Sequence, residues 1–404
     1  MNSAFLVCYA SAGIVSGHVS DRIAKRKGRF IFFAHLLIGV NVILLGCMQY
    51  IGDRQIWLYF VLRMIDGTLQ SVGWAVILAV MSNWFPKRGR GLLIGCWASN
   101  ANVGDIIGAQ IYKAATNDHV PPQDLMWGNG ISIIGGIVIG VGIINLLFII
   151  EFPQDKGIAI EENTHILDFN TKAIQPYNEE DTAPKVEKSI SFFNALMIPG
   201  VLLFSLSFFF IKFSMYGFYY WLPTYLQEGL DFSKDVSANI FSLFGFGSIF
   251  GNILMGLSTD LLTIRSPVFI LGILISTIST LVLTLWGGHG SGVGLISTVM
   301  FFLGGALNGS SIIIAAIECD LGKQEILKNN HKALATVSGI IDGIAGFGSI
   351  LGQILIGVVK GQAGWRPTFL MLTVATSISA IPAVFFAIRE YREWKEARRK
   401  TLST

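Results

Sequence analysis

Ionisable side chains inside long apolar stretches are the residues of this sequence best suited to do chemistry. Five stand out: Arg63, Asp66, Asp105, Lys212 and Asp342. A charged side chain at the centre of a membrane helix costs about 2.5 to 3.5 kcal/mol on insertion scales, so such residues usually serve a function. Each of the five is therefore a candidate site residue.

Lys212 lies in the middle of an apolar segment that is rich in aromatic residues. Tyr216 and Tyr220 follow at spacings that place them near the same helix face. An ammonium group beside phenolic hydroxyls can bind an anion such as phosphate, because lysine binds phosphate as a point charge. The alternative is a lysine that pairs with a carboxylate and only helps helices to assemble. Asp342 could balance its charge in a site without substrate.

A second polar stripe is predicted on one helix, formed by Arg63, Asp66, Gln70 and Trp74. Arg63 and Asp66 are three residues apart and can neutralise each other, which would lower their burial cost without any role in binding. Gln70 can donate and accept hydrogen bonds with sugar or glycerol hydroxyls. Trp74 is either a packing residue or a ligand contact.

Asp105 lies in a glycine-rich apolar segment that would form a helix without it. A buried carboxylate that takes up a proton is how proton-coupled carriers bind their ion. Asp105 is therefore a candidate proton-coupling residue.

The composition indicates that membrane helices position these residues. The 404 residues are 52% hydrophobic and only 14% charged, whereas soluble domains carry roughly 25% charged residues. No nucleotide-binding loop, cluster of metal ligands or nucleophile beside a base is found, so no cofactor, metal or enzymatic activity is expected. Apolar runs long enough to cross a bilayer predict 11 transmembrane helices: about 3–20, 30–50, 56–81, 92–112, 128–150, 197–226, 236–258, 267–286, 293–317, 333–358 and 366–388.

The predicted helices fall into two groups. Residues 1–150 form a first half of five helices, residues 151–195 a polar acidic linker, residues 196–388 a second half of six helices, and residues 389–404 a charged tail. Alternate loops, among them the linker and the tail, carry most of the 29 Lys and Arg residues. Because cytoplasmic loops hold this excess, the linker and the C-terminus are predicted to be cytoplasmic.

A short repeat relates the two halves. Gly17 and Asp21 end the first segment of the chain with the same G-x-x-x-D spacing that Gly256 and Asp260 show in the second half. Parallel repeats of this kind are common in secondary transporters. The motif follows the second helix of the second half but the first helix of the first half, so one helix is expected to be missing from a twelve-helix parent.

Two helical halves, a long central loop and this acidic and basic loop resemble the major facilitator superfamily. The run Asp21-Arg22-Ile-Ala-Lys25-Arg26-Lys27 is similar to a superfamily signature. The resemblance implies an all-α major facilitator fold of two pseudo-symmetric halves. It also suggests that Asp21, Arg22, Lys25, Arg26 and Asp260 form a conformational latch that breaks when the halves rock. The alternative is a basic loop that only sets orientation.

A narrower resemblance covers nearly the whole chain. The runs Gln70-Ser-Val-Gly73-Trp74, Asn83-Trp84-Phe85-Pro-Lys87-Arg88, Tyr220-Trp221-Leu222-Pro223 and Thr336-Val-Ser-Gly339-Ile-Ile-Asp342-Gly343 resemble the sugar-phosphate exchanger branch of the organophosphate:phosphate antiporters. Many members carry a histidine where this chain has Asn100, Ala101 and Asn102, so Asn100 is a further candidate substrate contact. Members also place a cationic residue on their first helix, which is the helix expected to be missing here.

The expected function is exchange of an organic phosphate, such as a sugar phosphate or glycerol 3-phosphate, for inorganic phosphate by alternating access. An unpaired buried cation would hold back reorientation without an anion. A proton-coupled symporter of another small polar solute and a transport-inactive truncated carrier are the alternatives. The expected partners are a small anionic solute and the lipid bilayer, with no nucleic acid and a monomeric state. The resemblance favours an endomembrane such as the endoplasmic reticulum.

Overall fold

The computed structural model describes residues 2–22, 27–51, 55–85, 90–115, 127–157, 190–262, 265–321 and 333–402. Across these ranges the chain is helical without any β-strand, as predicted. The α-helices are α1 (Asn2–Arg22), α2 (Lys27–Cys47), α3 (Ile56–Gln70), α4 (Val72–Trp84), α5 (Arg90–Ala98), α6 (Asn100–Ala115), α7 (Trp127–Phe148), α8 (Phe192–Leu196), α9 (Val201–Thr224), α10 (Lys234–Leu262), α11 (Ser266–Trp286), α12 (Val293–Leu321), α13 (Leu334–Ala363) and α14 (Trp365–Leu402).

Ten helical segments of the described residues are long and apolar enough to cross a membrane. They coincide with ten of the eleven predicted spans. The remaining prediction, 92–112, is divided between α5 and α6, which are separated only by Ser99. Helical bonding continues through this residue, since the Ser99 N–H donates to the Gly95 carbonyl at 3.2 Å and the Val103 N–H donates to the Ser99 carbonyl at 3.2 Å. The count of eleven stays a prediction.

The helix pairs repeat along the chain. In the first part α2 packs against α7 and α1 against α3, and in the second part α11 packs against α14 and α10 against α12. This repetition is what two parallel repeats would produce. The division into halves at residues 150 and 196 remains a prediction.

Small residues allow the backbones of paired helices to approach closely. A Cβ atom on Gly135 of α7 would lie 2.7 Å from the carbonyl oxygen of Gly39 in α2 and 2.8 Å from the Cγ1 atom of Ile43. Close packing of this kind holds membrane helices together, because lipid tails are as apolar as the side chains and the hydrophobic effect contributes little.

The two motif glycines make equivalent contacts across the molecule. Gly17, near the end of α1, lies against the backbone of Ala335 and Gly339 at the start of α13. Gly256, near the end of α10, lies against the backbone of Gly91 at the start of α5. Each repeat motif therefore brings the end of one helix against the beginning of a helix from the other predicted half.

The linker and the tail are described in part. The linker begins with a short 3₁₀ helix, Pro153–Lys156, and ends with α8, whereas residues 158–189 lie outside the described residues. The predicted tail is not separate from the last span, because α14 continues to Leu402.

A matched pair of substitutions tests the role of close helix packing. Gly135→Leu should destabilise the protein by about 1 to 3 kcal/mol, because an added side chain overpacks the α2–α7 contact. Gly136→Leu is the control, since nothing lies within 4 Å of a Cβ atom there. Thermal unfolding in detergent would compare the two, and equal midpoints would contradict the proposed packing.

Candidate substrate cavity

A cavity of about 460 Å³ lies between the two predicted halves. Its volume is in the range typical of small-molecule sites. Both predicted halves contribute polar side chains to its wall: Tyr9, Gln70, Trp74, Asn102 and Asp105 from the first, and Lys212, Tyr216, Tyr219, Tyr220, Asn252, Asn308, Ser311 and Asp342 from the second.

An ion pair between Lys212 of α9 and Asp342 of α13 forms part of this wall. The Lys212 Nζ atom donates to the Asp342 Oδ1 atom at 2.5 Å. The two residues are 5% and 7% exposed, and the Nζ atom also lies 4.8 Å from the centroid of the Phe208 ring. Pairing keeps the ammonium charged in a site where an isolated charge would be very costly.

The pair is the arrangement expected if Asp342 balances Lys212 in a site without substrate. Lys212 is therefore not the unpaired cation that the predicted barrier to empty reorientation requires. Both members of the pair lie in the predicted second half. An anion that binds the ammonium either shares it with Asp342 or replaces the Asp342 oxygen there.

The tyrosines predicted to share a face with Lys212 do so. Tyr216 and Tyr220 both line the cavity, with ring centroids 6.2 Å apart. Tyr219 lines it as well and donates its hydroxyl to the Asp105 Oδ2 atom at 2.9 Å. Tyr219 and Tyr9 were not predicted as cavity residues. The available signal was a phenolic hydroxyl in an otherwise apolar segment.

The residues of the polar stripe on α3 and α4 have two different roles: two of them form an ion pair within α3, and the other two line the cavity. Asp66 accepts a hydrogen bond from Arg63 at 3.0 Å and another from Gln70 at 2.9 Å. Gln70 and Trp74 line the cavity, whereas Arg63 is not among the lining residues and lies over the Phe5 ring. The structure thus matches the alternative in which Arg63 and Asp66 neutralise each other.

The first part of α6 reaches the cavity through residues other than Asn100. Asn102 and Asp105 line it, whereas Asn100 is exposed and does not. Ala101, Asn102 and Asp105 lie on the side of α6 that faces the cavity. Asp105 is also exposed, and its Oδ2 atom accepts the Tyr219 hydroxyl.

Uncharged polar groups from α10 and α12 form a part of the wall that sequence reasoning missed. The Asn308 amide donates to the Ser248 Oγ atom at 2.9 Å. Asn252 and Ser311 line the cavity beside it. A lone amide or hydroxyl in an apolar helix is a weak signal, and only the fold shows that these three share one side of a cavity.

Asp260 lies on α10 about two turns beyond the cavity residue Asn252 and joins the two predicted halves. Its carboxylate accepts the backbone N–H groups of Gly91 at 3.0 Å and Leu92 at 2.8 Å. These are free N–H groups of the first turn of α5, where the helix dipole favours a negative charge. The side chains of the other predicted latch residues lie outside the described residues: Asp21, Arg22, Lys25 and Arg26.

Glu318 is a buried acid that the sequence analysis did not single out. The predicted span ended at 317, so the residue was assigned to the following loop, but α12 continues to Leu321. Glu318 is 0% exposed and lies near the Lys212–Asp342 pair. Its position directly after an apolar run was the available signal.

Comparisons with known proteins agree with this architecture. A sequence profile described as Major Facilitator Superfamily matches residues 1–325 and 233–403. A crystal structure of the fucose:proton symporter FucP of E. coli has a TM-score of 0.67 at 16% identity, covering 95% of this chain and 89% of that chain. The human organic anion transporter MFSD10 has a TM-score of 0.65 at 13% identity, covering 94% and 82%. At these identities the likeness concerns the fold alone.

Sequence relatives are more specific. The glucose-6-phosphate exchanger SLC37A2 of Bos taurus is 31% identical to this chain over 99% of its length and 82% of the relative's. Sugar phosphate exchanger 3 of Homo sapiens is 32% identical over 96% of this chain and 80% of the relative. Together with the profile match, these similarities place the chain in the major facilitator superfamily, in the sugar-phosphate exchanger branch of the organophosphate:phosphate antiporters.

Proposed function

We propose that this protein exchanges an organic phosphate for inorganic phosphate across a membrane by alternating access. The observation that carries the proposal is the buried Lys212 ammonium at the wall of a cavity that both predicted halves line. The relatives are named as exchangers of glucose 6-phosphate or sugar phosphate, and none of the site's residues suggests an enzyme.

The phosphate group binds at Lys212. Its oxygens compete with Asp342 for the ammonium, and the hydroxyls of Tyr216 and Tyr220 donate to the same anion. Either exchanged anion can occupy this position, because both carry the phosphate group. Asp342 takes the ammonium back when the anion leaves, which keeps the cation paired throughout the cycle.

The organic part of the substrate binds along the uncharged polar wall. Asn252, Asn308 and Ser311 belong to the predicted second half, and Gln70 and Asn102 to the first. Amides and hydroxyls both donate and accept, so they suit a ligand that carries several hydroxyl groups.

Exchange follows because the anion contacts both halves. Phosphate at Lys212 also lies beside Tyr9 of α1, which lines the cavity with its ring centroid 6.0 Å from the Lys212 Nζ atom. The two halves meet where Asp260 lies against α5 and where the motif glycines lie against α5 and α13. We call this the closed end of the carrier, and opening it requires separating these contacts. A bound anion that contacts both halves offsets the free-energy cost of separating these contacts. Without an anion, this cost is not offset. Asp260 and its sequence counterpart Asp21, with Arg22, Lys25 and Arg26, act as the latch.

The orientation and the membrane belong to the same proposal. The Lys and Arg bias supports a cytoplasmic linker and C-terminus, which makes the closed end the cytoplasmic one. The family resemblance favours an endomembrane such as the endoplasmic reticulum, and the proposed carrier acts as a monomer on small anions.

Counterflow in proteoliposomes tests the exchange. Labelled phosphate trapped inside should leave only when phosphate or a phosphate ester is present outside. Equal efflux into phosphate-free buffer would contradict exchange, and no efflux under any condition would favour the transport-inactive alternative. Uptake driven by a pH gradient without a counter-anion would favour the symporter, in which case Asp105→Asn should abolish it.

Removing the ammonium tests the phosphate site. Lys212→Gln should weaken phosphate binding by roughly 10- to 100-fold, because a hydrogen bond to a charged group contributes about 1.5 to 3 kcal/mol. Lys360→Gln is the matched control, since Lys360 also pairs with a glutamate at 2.6 Å, that of Glu228, away from the cavity. Thermal shift with phosphate measures both variants, and similar ligand-induced shifts for the two would contradict the site.

Removing one hydroxyl tests the polar wall. Ser311→Ala should weaken binding of glucose 6-phosphate by roughly 2- to 10-fold and leave inorganic phosphate unchanged, because only the sugar reaches this wall. Ser258→Ala is the control, as its hydroxyl makes a comparable bond within α10 but faces away from the cavity. Competition against labelled phosphate measures both ligands, and equal weakening of the two would argue against the wall.

A further inference from the structure

Glu318 carries a carboxyl group that the proposed exchange does not use. The residue is 0% exposed. Its Oε2 atom accepts a hydrogen bond from the Ser338 hydroxyl at 2.6 Å, whereas its Oε1 atom has no hydrogen-bond partner. The indole N–H of Trp74 faces the carboxyl without reaching hydrogen-bond geometry.

The surrounding charges do not compensate an ionised carboxylate at this position. The groups that act on it from the neighbouring helices are Asp342 on α13, Lys212 on α9 and Tyr9 on α1. Lys212 already neutralises Asp342 at 2.5 Å, so a second carboxylate would leave the cluster with an excess negative charge. A buried charge with one hydrogen bond is strongly unfavourable, and such groups become neutral instead.

Glu318 lies where its surroundings would change when the carrier alternates between its two conformations. It lies on α12, beside Ser338 of α13 and Trp74 of α4. The apolar cluster around it joins Ala75 and Leu78 of α4 to α12 and α13. Separation of the halves at this end would part α4 from the other two helices and admit water to the carboxyl.

We propose that Glu318 is a proton-binding site whose occupancy alternates with the two faces of the carrier. The proton forms an O–H bond at Oε1 when this end is closed. It passes to water, leaving a carboxylate, when the end opens. The proposal rests on alternating access and not on which anion is carried. It makes the proton a co-ligand that stabilises the state in which this end is closed.

Infrared spectroscopy of the purified protein tests the protonated state directly. The wild type near neutral pH should show a carboxylic acid C=O band that shifts in D₂O. Glu318→Gln should abolish this band, and Glu228→Gln should leave it, because Glu228 is an exposed partner of Lys360. Ser338→Ala keeps the carboxyl but removes its hydrogen bond, so the band should persist at a changed frequency.

Three spectral results would overturn the proposal: no such band in the wild type, a band that survives Glu318→Gln, or a band that Ser338→Ala leaves unchanged. The readout does not require transport. If the band behaves as expected but counterflow fails, the proton site stands and the exchange proposal falls.

The pH dependence of phosphate counterflow tests the coupling. The wild-type rate should change with pH more steeply than the Glu318→Gln rate, by up to about tenfold per pH unit, because one proton distinguishes the two states. Titration of phosphate itself affects both proteins equally, so the difference reports on Glu318. Identical pH profiles would show that this carboxyl is not coupled to the cycle.

Discussion

The pairing of Lys212 with Asp342 is the constraint on which the rest of the site depends. A lone ammonium in this position would be too costly, and a lone carboxylate would repel an anion. The pair resolves both problems, because a phosphate oxygen can replace the Asp342 oxygen at the ammonium. The close α9–α13 packing that holds the pair in place relies on Gly348 and Gly352, whose Cα atoms lie against the backbones of Phe209 and Phe213.

Much of the fold could be predicted because membrane helices are defined locally. Hydropathy located ten of the spans, since each must bury about 20 apolar residues without reference to its neighbours. The eleventh predicted span, 92–112, is not among the ten, because it is divided at Ser99 into two helices that are each too short to cross a membrane alone. The repeat of Gly17 and Gly256 predicted equivalent positions, and both glycines indeed lie at equivalent helix contacts.

The candidate site was predicted only where helical periodicity applies within one helix. Lys212, Tyr216 and Tyr220 share a face because they are four residues apart, and all three line the cavity. Asn102 could not be distinguished from Asn100, and Glu318 was assigned to a loop, because the orientation and the end of a helix depend on its neighbours. The amide and hydroxyl wall requires α10 and α12 to pack together, which no local pattern specifies.

The placement of both members of the ion pair in the predicted second half has an electrical consequence. Lys212 and Asp342 carry opposite charges and would move as one body when that half rocks against the other. A membrane voltage acts on net displaced charge, at about 2.3 kcal/mol per elementary charge for each 100 mV. Rocking of this pair displaces none, so the pair itself adds no voltage dependence to the cycle.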